Sequence, residues 1–282
     1  MHEHPIAGRA ALAYQNEKFL NTPDARTLRM LAEYIEPQSR LRHQNVQDTI
    51  VFFGSARIPS GEAASSALAL ADEQARPAAE RALELSRYYE DARELAHRLT
   101  SWSQTLPSRR RRFVITSGGG PGIMQAANLG AHEAGGPTVG FNIRLPFEQV
   151  PNPYITPELN FEFHYFFMRK FWFAYLAKAL VAFPGGFGTL DEVMEILTLV
   201  QTQKLSKKIV IVLYGRSYWE QIVNFKALAD WGTISPLDLN LFYFADTPQE
   251  AFDLLTTQLD QIYLNPAAPA EEETPAIAKT RI

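Results

Sequence analysis

The run Pro184-Gly185-Gly186-Phe187-Gly188-Thr189-Leu190-Asp191-Glu192 brings three glycines, a hydroxyl and neighbouring carboxylates together. The apolar residues Ala179 to Phe183 before it read as a buried strand. Val193, Ile196, Leu197 and Val200 after it fall at helical spacing. A strand, a glycine-rich turn and a helix leave the first helical N–H groups unpaired and aimed at one point, where the helix dipole adds positive charge. That is an anion site, and phosphate suits it best. The glycines let a ligand approach the backbone, and Thr189 can cap the helix or bond the anion. A plain tight connection is the alternative; Pro184, the third glycine and the nearby carboxylate weigh against it. Pro184, Gly185, Gly186, Gly188 and Thr189 are therefore taken as phosphate-binding.

The surrounding elements must carry this turn to its ligand. Thr49 to Phe53 forms a strand ending at Gly54-Ser55-Ala56-Arg57, where an α/β fold commonly places a ligand loop. Phe113 to Thr116 is a second strand, followed by Ser117-Gly118-Gly119-Gly120-Pro121-Gly122-Ile123-Met124 and a helix to Ala134. Further strands are expected at Pro137 to Phe141, Leu159 to Phe163, Lys208 to Tyr214 and Leu241 to Phe244. Helices are expected at Ala25 to Ile35 with Asp24 as cap, Phe166 to Ala177, Tyr218 to Asp230 and Pro248 to Tyr263. Pro77 should divide the alanine-rich stretch 65–103 into two helices or kink one, and the proline-rich stretch 144–158 is a loop. Arg109 to Arg112 read as a solvated basic loop. Continuous apolar strands alternating with helices give a doubly wound, Rossmann-like parallel sheet with helices on both faces. The expected organisation is a helical N-terminal extension over 1–45, a Rossmann-like domain over 46–264 and a disordered tail over 265–282. The three loops at strand carboxyl ends then meet in one crevice.

Composition narrows the classes. With 27 Lys and Arg against 31 Asp and Glu, the net charge of −4 argues against a nucleic-acid or anionic-membrane partner. Zero cysteines exclude disulfides and thiol chemistry. No apolar run reaches the length of a membrane span and no signal-peptide pattern opens the chain, so a cytoplasmic location is expected. The glycine turns lack the Gly-x-Gly-x-x-Gly spacing of a dinucleotide fingerprint, and neither a Gly-Lys-Ser/Thr P-loop nor a Gly-x-Ser-x-Gly elbow occurs. The six histidines show no metal-ligand spacing.

Gly54-Ser55, Gly118-Gly119-Gly120-x-Gly122-x-Met124, Arg169-Lys170 and Pro184-Gly185-Gly186-x-Gly188-Thr189-x-x-Glu192 stand in the order found in the Lonely Guy (LOG) family, as do Thr198 and Gln201. The chain resembles that family over residues 49–230, including the separation 192 − 169 = 23 between arginine and glutamate. Members resemble cytokinin riboside 5'-monophosphate phosphoribohydrolases, which cleave the N-glycosidic bond of a nucleoside 5'-monophosphate to free base and ribose 5-phosphate. Many carry the label "lysine decarboxylase", although no lysine here stands in a recognisable pyridoxal phosphate context. Two departures mark a long bacterial branch: Phe166-Phe167-Met168 replaces the Met-His of short members, and the N-terminal extension is long.

The resemblance implies Glu192 and Arg169 as catalytic residues, with Gly54, Ser55, Gly119, Gly120, Gly122, Met124 and Lys170 joining the phosphate turn in binding substrate. Cleaving a C1′–N bond builds oxocarbenium-like charge on the ribose. A carboxylate one helical turn from the phosphate site can stabilise that charge and orient or deprotonate water. Arg169 offers a planar cation for phosphate or ribose hydroxyls. Asp191 and Glu195 are second carboxylates with a solvated or inter-helix role as the alternative. Part of the aromatic cluster from Phe161 to Phe173 is a candidate base-stacking wall, and the rest reads as core or subunit interface. AMP or an N6-substituted AMP is the expected substrate, with no metal or cofactor, in a homodimer or larger assembly whose sites lie near the interface. The alternative is a non-catalytic nucleotide or molybdenum-cofactor carrier of the same fold; retention of both Arg169 and Glu192 favours the enzyme.

Overall fold

The computed structural model describes residues 10–146 and 150–265. Residues 1–9 of the expected extension and 266–282 of the expected tail lie outside the described residues.

Seven strands form one sheet: β1 (Thr49–Phe53), β2 (Val114–Ser117), β3 (Thr138–Ile143), β4 (Asn160–Phe163), β5 (Ala177–Ala182), β6 (Val210–Tyr214) and β7 (Tyr243–Ala245). Their spatial order is β4-β3-β2-β1-β5-β6-β7, and every pairing is parallel. The chain winds outward from β1 to one edge, returns beside β1 and winds outward to the other. This is the expected doubly wound sheet, and its direction reverses between β1 and β5, where such folds open a ligand crevice.

Both faces of the sheet are covered, as the unbroken apolar strands require. Ile50 and Phe52 point to one core, Val51 and Phe53 to the other. The first core is closed by α4 (Arg76–Gln104), α5 (Ile123–Glu133) and α10 (Pro248–Leu259), with α3 (Gly61–Leu70) packed outside α4. The second is closed by α2 (Arg26–His43), α6 (Phe166–Leu176), α7 (Phe187–Gln201), α8 (Arg216–Ile222) and α9 (Phe225–Asp230). A single helical turn, α1 (Glu17–Leu20), precedes them.

Several elements differ from expectation. The first long helix does not stop at Ile35 but runs through Pro37 to His43. Buried Pro37 and Leu41, with Arg40, Arg42 and His43 in the last turn, offset the lost hydrogen bond. Asp24 does not cap it; Asp24 sits in a preceding 3₁₀ turn, and the cap position is Ala25. The expected helix from Tyr218 to Asp230 is two, α8 and α9. Asn224 takes the amide of Ala227 on its Oδ1 (2.9 Å) and restarts the helix there. Pro77 does divide its stretch, at the first turn of α4. The last helix ends in a wider π turn at Asp260–Leu264.

Arg112 is not solvated like Arg109 to Arg111. Its Nε donates to Oδ2 of Asp48 at 2.7 Å, and Asp48 is fully buried. Asp48 Oδ1 also accepts from the amide of Phe113 (2.6 Å), which holds φ at +52° just before β2.

Helix α2 is fastened to the sheet's β4 edge. The Glu33 carboxylate accepts from the amides of His164 and Tyr165 (2.8 and 3.3 Å), and its carbonyl accepts from Trp172 Nε1 (2.8 Å). Arg40 donates to the Asn160 carbonyl and lies over the Phe161 ring, 4.0 Å from its centre. This helix thereby buttresses α6, which carries Arg169.

Candidate active site

The three loops after β1, β2 and β5 are tied together through the main chain of Ser55. Its amide donates to the Pro184 carbonyl (3.0 Å), and its carbonyl accepts from the amide of Ile123 (3.1 Å). The Ser55 hydroxyl oxygen accepts from the amide of Arg57. Gly122, at φ +68°, lies so close that a Cβ there would fall 2.3 Å from the Ser55 carbonyl oxygen. Gly54 serves the same frame by packing against the side chain of Ile123.

Helix α7 opens at Gly186, whose backbone is extended and which bears no side-chain cap. Thr189 is therefore not the cap; it is the third residue of α7, buried, with its hydroxyl packed over Gly185. The amides of Gly186, Phe187, Gly188 and Thr189 meet no acceptor among the described residues. The first that does is Leu190, which donates to the Gly186 carbonyl at 3.0 Å. Among the described residues, a Cβ on Gly186 or Gly188 would meet no atom within 4 Å, so the turn is open in front. Bare amides at the start of a fifteen-residue helix are the arrangement that an anion site requires.

Glu192 stands at the start of the next turn of that helix. Its Oε1 accepts from Arg169 Nη2 at 2.8 Å, and both side chains are nearly buried, 12% and 11% exposed. Burial pushes the Glu192 carboxyl up to about 7; the charge of Arg169 opposes that rise and the charge of Asp191 adds to it. Arg169 is itself placed by α6, with Phe166 and Phe173 rings 5.3 and 5.5 Å from its guanidinium carbon. Its Nη1 lies 3.7 Å from where a Gly118 side chain would begin, and its Nε is buried without an acceptor among the described residues. Arginine, glutamate and two glycine turns thus share one crevice.

Lys170 faces a different set. Its Nζ bridges Asp191 Oδ2 (2.7 Å) and Glu195 Oε2 (3.0 Å), joining α6 to α7. Burial works against its charge, yet the two carboxylates hold its pKa above the ordinary lysine value. The structure gives Asp191 and Glu195 this inter-helix role. Met124 lies over Gly118, with its sulfur where a side chain on Gly118 would sit. Thr198 and Gln201 bond within and beyond α7, to the Met194 carbonyl and Asp238. Of the aromatic cluster, Phe161, Phe163, Trp172 and Phe173 are core, while Phe166, beside Arg169, and Phe167 are half exposed.

A family model described as "Possible lysine decarboxylase" matches residues 124–255. Cytokinin riboside 5'-monophosphate phosphoribohydrolase LOG5 of Arabidopsis thaliana is 29% identical over 160 residues, 54% of this chain and 65% of that protein. Its counterpart LOG7 from the same plant is 31% identical over 157 residues, 54% of this chain and 68% of that protein. The chain belongs to the Lonely Guy (LOG) family. It thus spans about two thirds of the length of these LOG relatives. Among solved structures, a molybdenum-cofactor carrier protein from Chlamydomonas reinhardtii is similar at 19% identity and a TM-score of 0.47, over 76% of this LOG chain and 99% of that one. A molybdenum-cofactor binding protein from Rippkaea orientalis is similar at 16% identity and 0.46, over 76% and 98%.

Two residues of this LOG chain that sequence reasoning passed over also reach the glycine turns. Asn152, between Pro151 and Pro153 in the stretch read as a plain loop, bonds the carbonyls of Gly119 and Gly120. A polar residue between prolines, opposite a glycine turn, was the available signal. Tyr218 on α8 donates its hydroxyl to the Gly185 carbonyl at 2.6 Å. Nothing in its local sequence marked it, because α8 reaches the turn only through the pairing of β5 with β6.

Proposed function

We propose that this LOG-family chain hydrolyses the N-glycosidic bond of a nucleoside 5'-monophosphate, AMP or an N6-substituted AMP, to free base and ribose 5-phosphate. The observation that carries the reading is the Glu192 carboxylate, held by Arg169 about one helical turn from unpaired amides at the start of α7. A 5'-phosphate on those amides puts the ribose within reach of the carboxylate. As the C1′–N bond breaks, positive charge grows on the sugar, and the fixed carboxylate stabilises it in a poorly solvated site. The same group takes a proton from the attacking water, while the base leaves with the C1′–N electron pair and takes up a proton from solvent. Arg169, with further N–H groups to give, positions the carboxylate and binds sugar hydroxyls or phosphate.

Incubation with AMP should release adenine and ribose 5-phosphate. The ionised carboxylate is the working form, so kcat/KM should climb as pH rises through about 7, where Glu192 loses its proton, and level off above. AMP binding without any release of adenine would leave a nucleotide-binding protein and sink the hydrolase.

The assembly is proposed as a homodimer or larger, with the site near the interface. Exposed apolar residues on two helices support it. Leu28, Leu31 and Ile35 of α2 are each about half exposed, and so are Phe166 and Phe167 of α6. Phe171 and Tyr175 continue that apolar surface along α6. Sedimentation at micromolar concentration should give at least twice the 31.8 kDa chain mass; a monomer overturns the proposal.

A further inference from the structure

A glycine-rich turn that binds phosphate through its amides carries a built-in difficulty. Its peptide units lack the Cβ groups that restrict rotation, so each can turn its carbonyl rather than its N–H toward the ligand at little cost. An inward carbonyl repels the anion that an inward amide attracts. Something must fix the choice, and glycine itself has no side chain to do it.

We infer that Tyr218 is a positioning residue for the phosphate site, holding the Gly185 carbonyl out of the crevice, and that Asn152 does the same for the turn after β2. The inference rests on the reading of the crevice as a 5'-phosphate site. Among the described residues every peptide is trans, so a carbonyl and the N–H of the next residue point in opposite directions. The Tyr218 hydroxyl draws the Gly185 carbonyl toward α8 at 2.6 Å. The Gly186 N–H therefore faces the other way and finds no acceptor among the described residues. The preceding peptide is fixed likewise, since the Pro184 carbonyl accepts from Ser55.

The second turn repeats the device. The Gly119 carbonyl accepts from both the amide and Nδ2 of Asn152 (2.8 and 3.0 Å), and the Gly120 carbonyl accepts from the same Nδ2 (3.1 Å). The Gly120 N–H is thereby turned away from Asn152. Asn152 is in turn anchored on Asn128 Oδ1 (2.9 Å), which also accepts from the Ser117 hydroxyl (2.6 Å). Asn128, Ser117 and Thr138 are fully buried, so this network is rigid and shielded from water.

Tyr218→Phe is the clean test, because it deletes one oxygen and leaves the ring packed edge-on against Trp219 (5.5 Å). Calorimetric titration with AMP and with adenosine, made in a Glu192→Gln background so that AMP is not consumed, reads the phosphate contribution as a ratio that does not depend on how much of the sample is folded. The variant should bind AMP about fivefold more weakly, the order expected for one net hydrogen bond, with adenosine unchanged. Inhibition by inorganic phosphate should weaken in step, and KM for AMP should rise more than kcat falls. Asn152→Asp, which puts an acceptor against two carbonyls, should narrow the AMP-to-adenosine preference further. An unchanged preference in Tyr218→Phe, or an equal loss for both ligands, overturns the assignment. Wild-type protein that binds AMP tightly without cleaving it refutes the hydrolase and leaves this test standing. Wild-type protein that binds AMP no better than adenosine overturns both.

Discussion

Glu192→Gln should lower kcat for AMP by at least about a hundredfold while leaving its Kd within about threefold of wild type, the pattern of a group that acts on the transition state. The substitution is close to isosteric, and the amide oxygen can still accept from Arg169, so the pair keeps its 2.8 Å geometry while the negative charge is removed. A neutral amide cannot balance an oxocarbenium-like sugar or take a proton from water. The rise of kcat/KM through about pH 7 should also vanish, since glutamine has nothing to titrate there. Glu192→Ala is the poorer probe, because it strands a nearly buried guanidinium without its partner. Single-turnover release of adenine, measured across pH for both proteins, checks the expectation. A glutamine variant that keeps a tenth of the activity and the same pH profile would show that another group carries the chemistry.

The largest effect on stability should come from the opposite end of the sheet. Asp48→Ala should cost about 3–5 kcal/mol, the range for removing one partner of a buried ion pair. Asp48 is fully buried, takes Arg112 Nε at 2.7 Å, and accepts the Phe113 amide that steers the chain into β2. Without it a mostly buried guanidinium and a buried N–H are left unpaired, and the strained φ of Phe113 loses its anchor. Asp48→Asn, which can still accept from Phe113, should cost less. The midpoint and slope of urea unfolding decide the matter, while kcat of the surviving native protein should stay unchanged, because Asp48 lies at the amino ends of β1 and β2. A shift below about 1 kcal/mol for the alanine variant would mean that Arg112 finds water instead.

The parts that sequence made readable share a physical trait: their information is local. Ile50 to Phe53, Ala179 to Phe183 and Ile209 to Leu213 are apolar without interruption because both faces of a parallel strand are covered, so they stood out with no knowledge of their neighbours. The Gly186 to Thr189 turn is legible because the bare amides it presents belong to its own backbone. Arg169 and Glu192 were placed together by resemblance and not by periodicity, and their ion pair is a contact across 23 residues. The hidden contacts depend on partners far along the chain. Tyr218 meets Gly185 across 33 residues, Asn152 meets Gly119 across 33, and Arg112 meets Asp48 across 64. The misplaced helix boundaries have the same origin. Pro37 looks like a stop until its burial is known, and Asn224 looks helical until its side chain is seen to cap α9.

The way Ser55 joins the three loops has a consequence for how this crevice can change over generations. Both of its bonds to neighbouring loops are made by peptide groups, which every residue except proline possesses in full. Rim side chains that do not bond the turns, unlike Tyr218 and Asn152, are then free to drift without loosening that frame. A rim residue such as Phe166 can be replaced while the scaffold geometry is inherited unaltered.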